Sequence, residues 1–373
     1  MGGRPVSGAR LKAAREAAGL SLVAVAARTN FSKSLLGQLE TGARRVRREH
    51  VVAYSRALNV SVETLEAPAT DPIRLALEWL VSDSPAVRHT AVGRRVGASL
   101  AEELERRVIE LRHFDDSIGG RDLYPVVHKE LTNAQEVVRE ASFAEPIGKR
   151  LLVAVSELAQ LAGWVASDAG QYIEAQRIYL DGLSAAAAAG ERPLAGQLLS
   201  SLSYQIANIG SPSDAAILAR AAVTGARGAS PVVRALLLER FAWASARSRD
   251  HEETRRALDA VDDAYESHSP GIEEPEWVYW LNRSEIDVMA GRCFVELGEA
   301  CRAEPLLSRA IESYPPEHAR EVALYRTWLA DAYARTGNLD AARATIELAR
   351  IAAEGASSSR LDRRVTEIER TVA

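Results

Sequence analysis

The sequence predicts an all-α fold in which a small five-helix N-terminal module precedes a long α-solenoid. Three observations carry this. Apolar residues recur at three- and four-residue spacing almost throughout. No stretch alternates apolar and polar residues as a half-buried strand would. A pattern of small residue, turn glycine, small residue and large residue returns at about the length of a helical hairpin. At 373 residues the chain exceeds one ordinary core. We expect three parts: 1–67, a connecting helical region 68–150 with no clear repeat register, and a repeat domain 151–373. The proline-containing run Ala67-Pro68-Ala69-Thr70-Asp71-Pro72 reads as the linker, because proline breaks a helix and Thr70 and Asp71 suit a cap.

Within the first part, Leu11, Ala14 and Ala18 share one face of a helix from about Gly8 to Ala18, which Gly19 ends. Ser21 caps a second helix with Leu22, Val25 and Ala26 inward. Asn30 sits at a sharp turn, where its tolerance of left-handed backbone is useful. Ser32 caps a third helix, Ser32 to Thr41, whose buried side holds Leu35, Leu36 and Leu39. Two more helices follow, around Val51–Leu58 and Val62–Leu65.

In the body, one hairpin carries Gly163, Gly170, Tyr172, Ala175 and Tyr179. A second carries Gly291, Phe294, Gly298, Ala303, Leu307, Ala310 and Pro315. A third carries Ala330, Tyr333, Gly337, Ala342 and Ile346. Small residues let two antiparallel helices approach, glycine makes the turn, and the large residue fills the groove that remains. The order matches repeats of about 34 residues of the tetratricopeptide kind. Two further copies, near 202–222 and 238–265, are degraded, and Gly355 to Ser359 reads as a loop before a last short helix.

Charge divides along the same boundary. The chain carries a net charge of −5, yet residues 1–70 hold eleven basic and five acidic groups, and the remainder 35 basic and 46 acidic. A basic module on an acidic body suggests one part that meets a polyanion and one that avoids it. No apolar run approaches a membrane span, and Met1 to Gly8 lacks a signal core, so we expect a cytoplasmic protein without membrane contact. Seven scattered histidines show no metal-ligand spacing. Cys293 and Cys301 read as small buried residues rather than a disulfide framework. No phosphate-binding glycine loop or nucleophile elbow occurs, and Asp115-Asp116 and Asp262-Asp263 read as solvated positions. We therefore expect no catalytic residues, no metal and no cofactor.

The run Leu11-Lys12-Ala13-Ala14-Arg15-Glu16-Ala17-Ala18-Gly19-Leu20-Ser21, with Ser32-Lys33-Ser34-Leu35-Leu36-Gly37-Gln38-Leu39-Glu40-Thr41-Gly42 and the ending Ala57-Leu58-Asn59-Val60-Ser61-Val62-Glu63-Thr64-Leu65, resembles the phage-repressor (XRE/Cro) helix-turn-helix family. The resemblance covers about a sixth of the chain. It implies double-stranded DNA as a partner, with the helix after Ser32 in the major groove. By position Lys33, Ser34 and Gln38 would face bases, and their chemistry suits guanine, either base, and adenine in turn. The family's structural ion pair would fall on Arg15 and Glu40. Leu22 departs from the pattern, since relatives carry there a glutamine that helps hold a phosphate. The remaining phosphate candidates are Ser21, Ser32, Arg44, Arg45, Arg47 and Arg48.

The order of the two parts resembles bacterial regulators that sense small peptides on tetratricopeptide repeats. It implies a homodimer held by the body, and a peptide, small molecule or partner protein on the concave face. The residue after the first small site would point there, which selects Trp164, Tyr204, Trp243 and Arg292. The same helices add Gln160, Asn208, Glu239 and Glu285, a mixture of aromatics, amides and charges suited to an extended peptide. The segment Glu273-Glu274-Pro275-Glu276-Trp277-Val278-Tyr279-Trp280 reads equally as a lid, a dimer contact or core. An interaction scaffold recruited to DNA is the alternative to a ligand-responsive, sequence-specific transcription regulator.

Overall fold

A computed structural model describes residues 6–60, 62, 65, 96–115, 120–315, 318–353 and 358–372. Helix dominates these residues. The linker expected at 67–72, most of the module's fifth helix and most of the loop at 355–359 lie outside them. The N-terminal module consists of α1 (Gly8–Ala17), α2 (Leu22–Arg28), α3 (Lys33–Glu40) and α4 (Arg48–Leu58), and Val62 and Leu65 are also helical. Leu11, Val25, Leu36, Leu39 and Tyr54 fill its core. Serine caps set the starts of α2 and α3: the Ser21 hydroxyl accepts from Ala24 N (3.1 Å), and that of Ser32 from Leu35 N (3.2 Å). The left-handed asparagine is Asn59 (φ 55°), after α4, and not Asn30. The turn at Asn30 is made without positive φ, because the cap at Ser32 already redirects the chain.

The body begins with α5 (Ala98–Asp115) and α6 (Gly120–Glu140). It continues through α7 (Glu145–Asp168), α8 (Tyr172–Ala189), α9 (Arg192–Ile209), α10 (Pro212–Gly225), α11 (Pro231–Arg247) and α12 (His251–Glu266). A 3-10 turn at Glu276–Val278 then leads to α13 (Arg283–Glu296), α14 (Ala300–Ser313), α15 (Ala319–Arg335), α16 (Leu339–Ala353) and α17 (Ser359–Val372). From α7 to α16 consecutive helices pair as stacked antiparallel hairpins. The boundary expected at residue 150 falls inside α7, and α5 and α6 pack directly on that helix, so the described part of the connecting region belongs to the stack.

Packing shows why the small residues are where they are. A Cβ on Gly163 would stand 2.5 Å from the Tyr179 ring, and one on Gly291 would stand 2.7 Å from Leu307. Both lie inside the closest approach of real side chains, so the large residue of one helix occupies the space left by the glycine of its partner. Turn glycines Gly170, Gly298 and Gly337 have φ of 82°, 80° and 83°. In the hairpin of α11 and α12 the same turn position holds Arg249 at φ 61°, which is why that copy looks degraded in sequence. A non-glycine side chain there costs about 1–2 kcal/mol. Arg249→Gly is therefore expected to raise stability, by up to about 1 kcal/mol after the added freedom of the unfolded chain is subtracted. A denaturant midpoint that moves down would contradict this.

Helix α7 is long and apolar enough to cross a membrane by length and composition, but it is a mostly buried helix of the hairpin stack, which accounts for its apolar character. Cys293 is buried, whereas Cys301 is exposed, contrary to expectation: it sits at the start of α14 on the outer side of its hairpin, where nothing covers it.

The stack curls back on itself. Ser358 donates to Asp168 Oδ1 (2.8 Å), Arg360 Nε stands 3.4 Å from the same carboxylate, and Arg363 donates to the Tyr172 hydroxyl (2.9 Å). Arg320 donates to the Asp115 carbonyl at 2.6 Å. These contacts join residues some 190 to 205 positions apart and close the superhelix into a ring. The N-terminal module rests on its outer side: α1 meets α8 and α9, Ile173 packs against the module's core, and Gly19 lies against Ile209.

Candidate nucleic-acid interface and repeat-body cavity

On α3, the buried side anchors the helix and the opposite side is free. Leu36 and Leu39 are fully buried, while Lys33 and Ser34 at its start and Gln38 one turn further on are exposed. Gly37 lies between them, only half-buried, with nothing nearer than Leu22. The helix is fixed from below by a buried fork. Arg15 Nε and Nη2 each donate to Glu40 at 2.8 Å, Arg15 Nη1 donates to the Leu20 carbonyl at 2.9 Å, and the Tyr54 hydroxyl donates to Glu40 Oε1 at 2.8 Å. The hydrogen bonds to Glu40 hold the Arg15 guanidinium more basic than usual. The Tyr54 phenol is pushed above its ordinary range by burial and by that carboxylate.

The loop that follows is also anchored. Arg44 N donates to the Gln38 carbonyl (3.0 Å), and Arg47 N donates to His50 Nδ1 (2.9 Å). Burial lowers the His50 pKa, so the ring stays neutral and its Nδ1 stays an acceptor. Arg44, Arg45, Arg47 and Arg48 are all exposed. Ser21 and Ser32 spend one lone pair on their caps and keep a hydroxyl hydrogen to donate. One edge of the module thus presents a polar helix start beside four cations, a surface whose charge and hydrogen-bonding groups suit base edges and phosphates.

The ring of the body surrounds a cavity of about 610 Å³, within the range of ligand sites. Of the residues expected on the concave face, Gln160, Trp164, Tyr204, Glu239, Glu285 and Arg292 line it. Trp243 and Asn208 do not. Trp243 is wholly buried beneath Arg292 and Trp328, because the curl brings later hairpins over it. Asn208 turns away, donates to the Tyr204 carbonyl (2.6 Å), and faces a minor cleft near the N-terminal module. The segment 273–280 supplies Trp277, Tyr279 and Trp280 to the cavity wall. It is tied down by Glu274, which accepts from Val232 N (3.1 Å) and from the Ser230 hydroxyl.

Sequence reasoning missed Arg240, Arg360 and Tyr325. Arg240 follows Glu239 on the same helix and was within reach of the same register argument. Arg360 comes from α17, and only the closure of the ring brings it here. Arginines and carboxylates both line the cavity. On one side, Arg240 stands 4.2 Å and Arg292 5.4 Å from the centre of the Tyr204 ring, and Arg240 and Arg360 stand 5.7 and 5.1 Å from that of Trp164. On the other, Glu285 accepts from the hydroxyls of Tyr314 and Tyr325, the latter at 2.5 Å. Burial raises the Glu285 pKa against the pull of those hydrogen bonds, and burial brings Glu239 up to about 7.

A family model described as a helix-turn-helix domain matches residues 8–67. No curated protein matches the chain. Among solved structures, a PrgX mutant aligns over 88% of this chain and 95% of its own at 9% identity, with a TM-score of 0.31. Residues 8–67 thus match a helix-turn-helix domain in sequence, and such a domain implies a DNA-binding regulator.

Proposed function

We propose that the chain is a sequence-specific transcription regulator of the phage-repressor type, which pairs as a homodimer and changes its hold on DNA when a peptide or small molecule enters the ring of helical repeats. The observation that carries the reading is the exposed trio Lys33, Ser34 and Gln38 on a helix whose underside is fixed by the Arg15–Glu40 fork. A homodimer is part of the reading because single modules of this kind bind weakly and pair on half-sites about one helical turn apart. A link between sites is built in: α9 bears Tyr204 in the cavity wall and ends at Ile209, against Gly19 of the module. A ligand that moves α9 therefore acts on the seat of the module. The protein works by binding, without catalysis, metal or cofactor.

Selection from a pool of random duplexes with the full chain tests this. Enrichment of a two-fold repeated sequence is expected, and no enrichment over random DNA sinks the reading. On the selected duplex, Gln38→Ala should relax choice at one base position, at a cost of about 1–3 kcal/mol. Arg44→Ala with Arg47→Ala should instead weaken binding to every sequence and reduce the salt slope by about two.

A further inference from the structure

The arginine side of the cavity lacks the negative charge that its burial requires. Arg292 is 6% exposed and Arg240 likewise. Arg292 donates to the Tyr204 hydroxyl (2.9 Å), but among the described residues no carboxylate lies within ion-pair distance of it, and its Nε has no acceptor. For Arg240 the available carboxylate is Glu239, 3.8 Å away and beyond hydrogen-bonding distance. Arg360 faces Asp168 at 3.4 Å, but that carboxylate already accepts from Ser358. Aromatic rings supply part of the deficit. Arg292 also stacks on Trp243 (4.4 Å) and Trp328 (5.0 Å), and Arg240 reaches Trp280 (5.7 Å). Stacking engages the face of a guanidinium and leaves its in-plane N–H groups for a planar acceptor. It contributes about 0.5–2 kcal/mol, less than the several kcal/mol that burial of a charge costs. Two buried cations and a third from α17 therefore converge on one wall where, among the described residues, Arg292 has no carboxylate partner and Arg240 has one only beyond hydrogen-bonding distance.

We propose that this wall is an oxyanion receptor: a carboxylate or phosphate on the signal molecule docks among Arg240, Arg292 and Arg360, between the rings of Trp164 and Tyr204. The assignment rests on the reading of the cavity as the signal site, and it narrows the signal to an anion. The buried carboxylate across the cavity, Glu285, disfavours the same group there and so orients it. Tyr204 reports the field: burial alone would raise its phenol, but Arg292, Arg360 and Arg240 bring it to about 7.

Three probes of one shape separate the possibilities: benzoate, phenyl phosphate and the neutral benzamide, titrated into the full chain with tryptophan fluorescence and calorimetry as readouts. Benzoate, phenyl phosphate or both are expected to bind at least about tenfold more tightly than benzamide, the effect of charge-assisted hydrogen bonds. The stronger of the two anions identifies the oxyanion. Its binding should also move the titration of the Tyr204 phenolate, read by near-ultraviolet absorbance, upward by about one pH unit, since a bound anion offsets the arginines. Arg240→Gln should abolish the preference for the anion, and Arg240→Lys, which keeps the charge but loses the fork, should reduce it. Equal binding of anion and amide, no binding of any probe by the native chain, or full preference in a folded Arg240→Gln chain would each overturn the proposal. The comparison of probes in the native chain needs no variant to fold and no DNA. A chain that prefers the anion yet selects no duplex would keep the receptor and lose the regulator, and the converse result would do the opposite.

Discussion

Arg15→Ala is expected to unfold the helix-turn-helix module and abolish DNA binding while the repeat body stays folded. Glu40 is 5% exposed, and its oxygens accept from Arg15 twice and from Tyr54 once. Removal of the guanidinium leaves a buried carboxylate with a single hydroxyl donor. Loss of one partner of a buried pair costs about 3–5 kcal/mol, because the remaining charge is stranded in a poor solvent. A domain of this size holds about 3–9 kcal/mol in all, from typical stability per residue. The substitution therefore consumes most or all of the module's margin. The body has its own core and should not notice. Hydrogen exchange on the full chain distinguishes the two parts: amides of α1 and α3 should lose protection while those of α7 and α11 keep theirs. Arg15→Met combined with Glu40→Leu removes both charges and should recover much of the protection without restoring every contact. Unchanged exchange in α1 and α3 after Arg15→Ala would show that the fork is not what fixes the reading helix.

What the sequence made legible follows from how far each feature reaches along the chain. Ser21 and Ser32 cap helices that begin at the next residue, so their roles are local and visible. The pairing of Gly163 with Tyr179, and of Gly291 with Leu307, spans sixteen residues and recurs, so repetition reveals it. The exposed face of α3 is a matter of helical period, with Leu36 and Leu39 on one side and Lys33, Ser34 and Gln38 on the other. The Arg15–Glu40 pair was reached only through a family resemblance, since 25 residues separate its partners and many other ion pairs were possible. The cavity was half legible. Register selected Trp164, Tyr204 and Arg292, but nothing in the pattern states how tightly the hairpins curl. Curvature is a sum of small rotations from one repeat to the next. That sum decides that Arg360 arrives from the far end of the chain, and that Trp243, at the same register as Trp164, is covered.

Trp243 is the residue where that curvature has the largest measurable consequence. The same position in the earlier hairpin, Trp164, is only partly buried and lines the cavity. Trp243 is 0% exposed, stands edge-on to Trp328 at 5.4 Å, and is covered by Arg292 at 4.4 Å and approached by Arg247 at 5.8 Å. Arg292 and Trp328 come from α13 and α15, two later parts of the stack, whereas Arg247 lies one turn on along α11 itself, so the indole joins helices that are distant in sequence. Trp243→Ala is expected to destabilise the body by about 3–5 kcal/mol, the cost of emptying a large buried aromatic site. It also removes a platform on which Arg292 rests, so any loss of ligand binding should follow the loss of stability and disappear in Trp243→Phe, which keeps a ring in place. Trp164→Ala should show the reverse balance: a smaller loss of stability, because part of its ring already faces the cavity, and a direct loss of ligand contact. Denaturant unfolding followed through the far-ultraviolet signal of the helices measures both. A Trp243→Ala chain that unfolds within about 1 kcal/mol of the native one would mean that the ring does not close as tightly as the contacts between α11, α13 and α15 require.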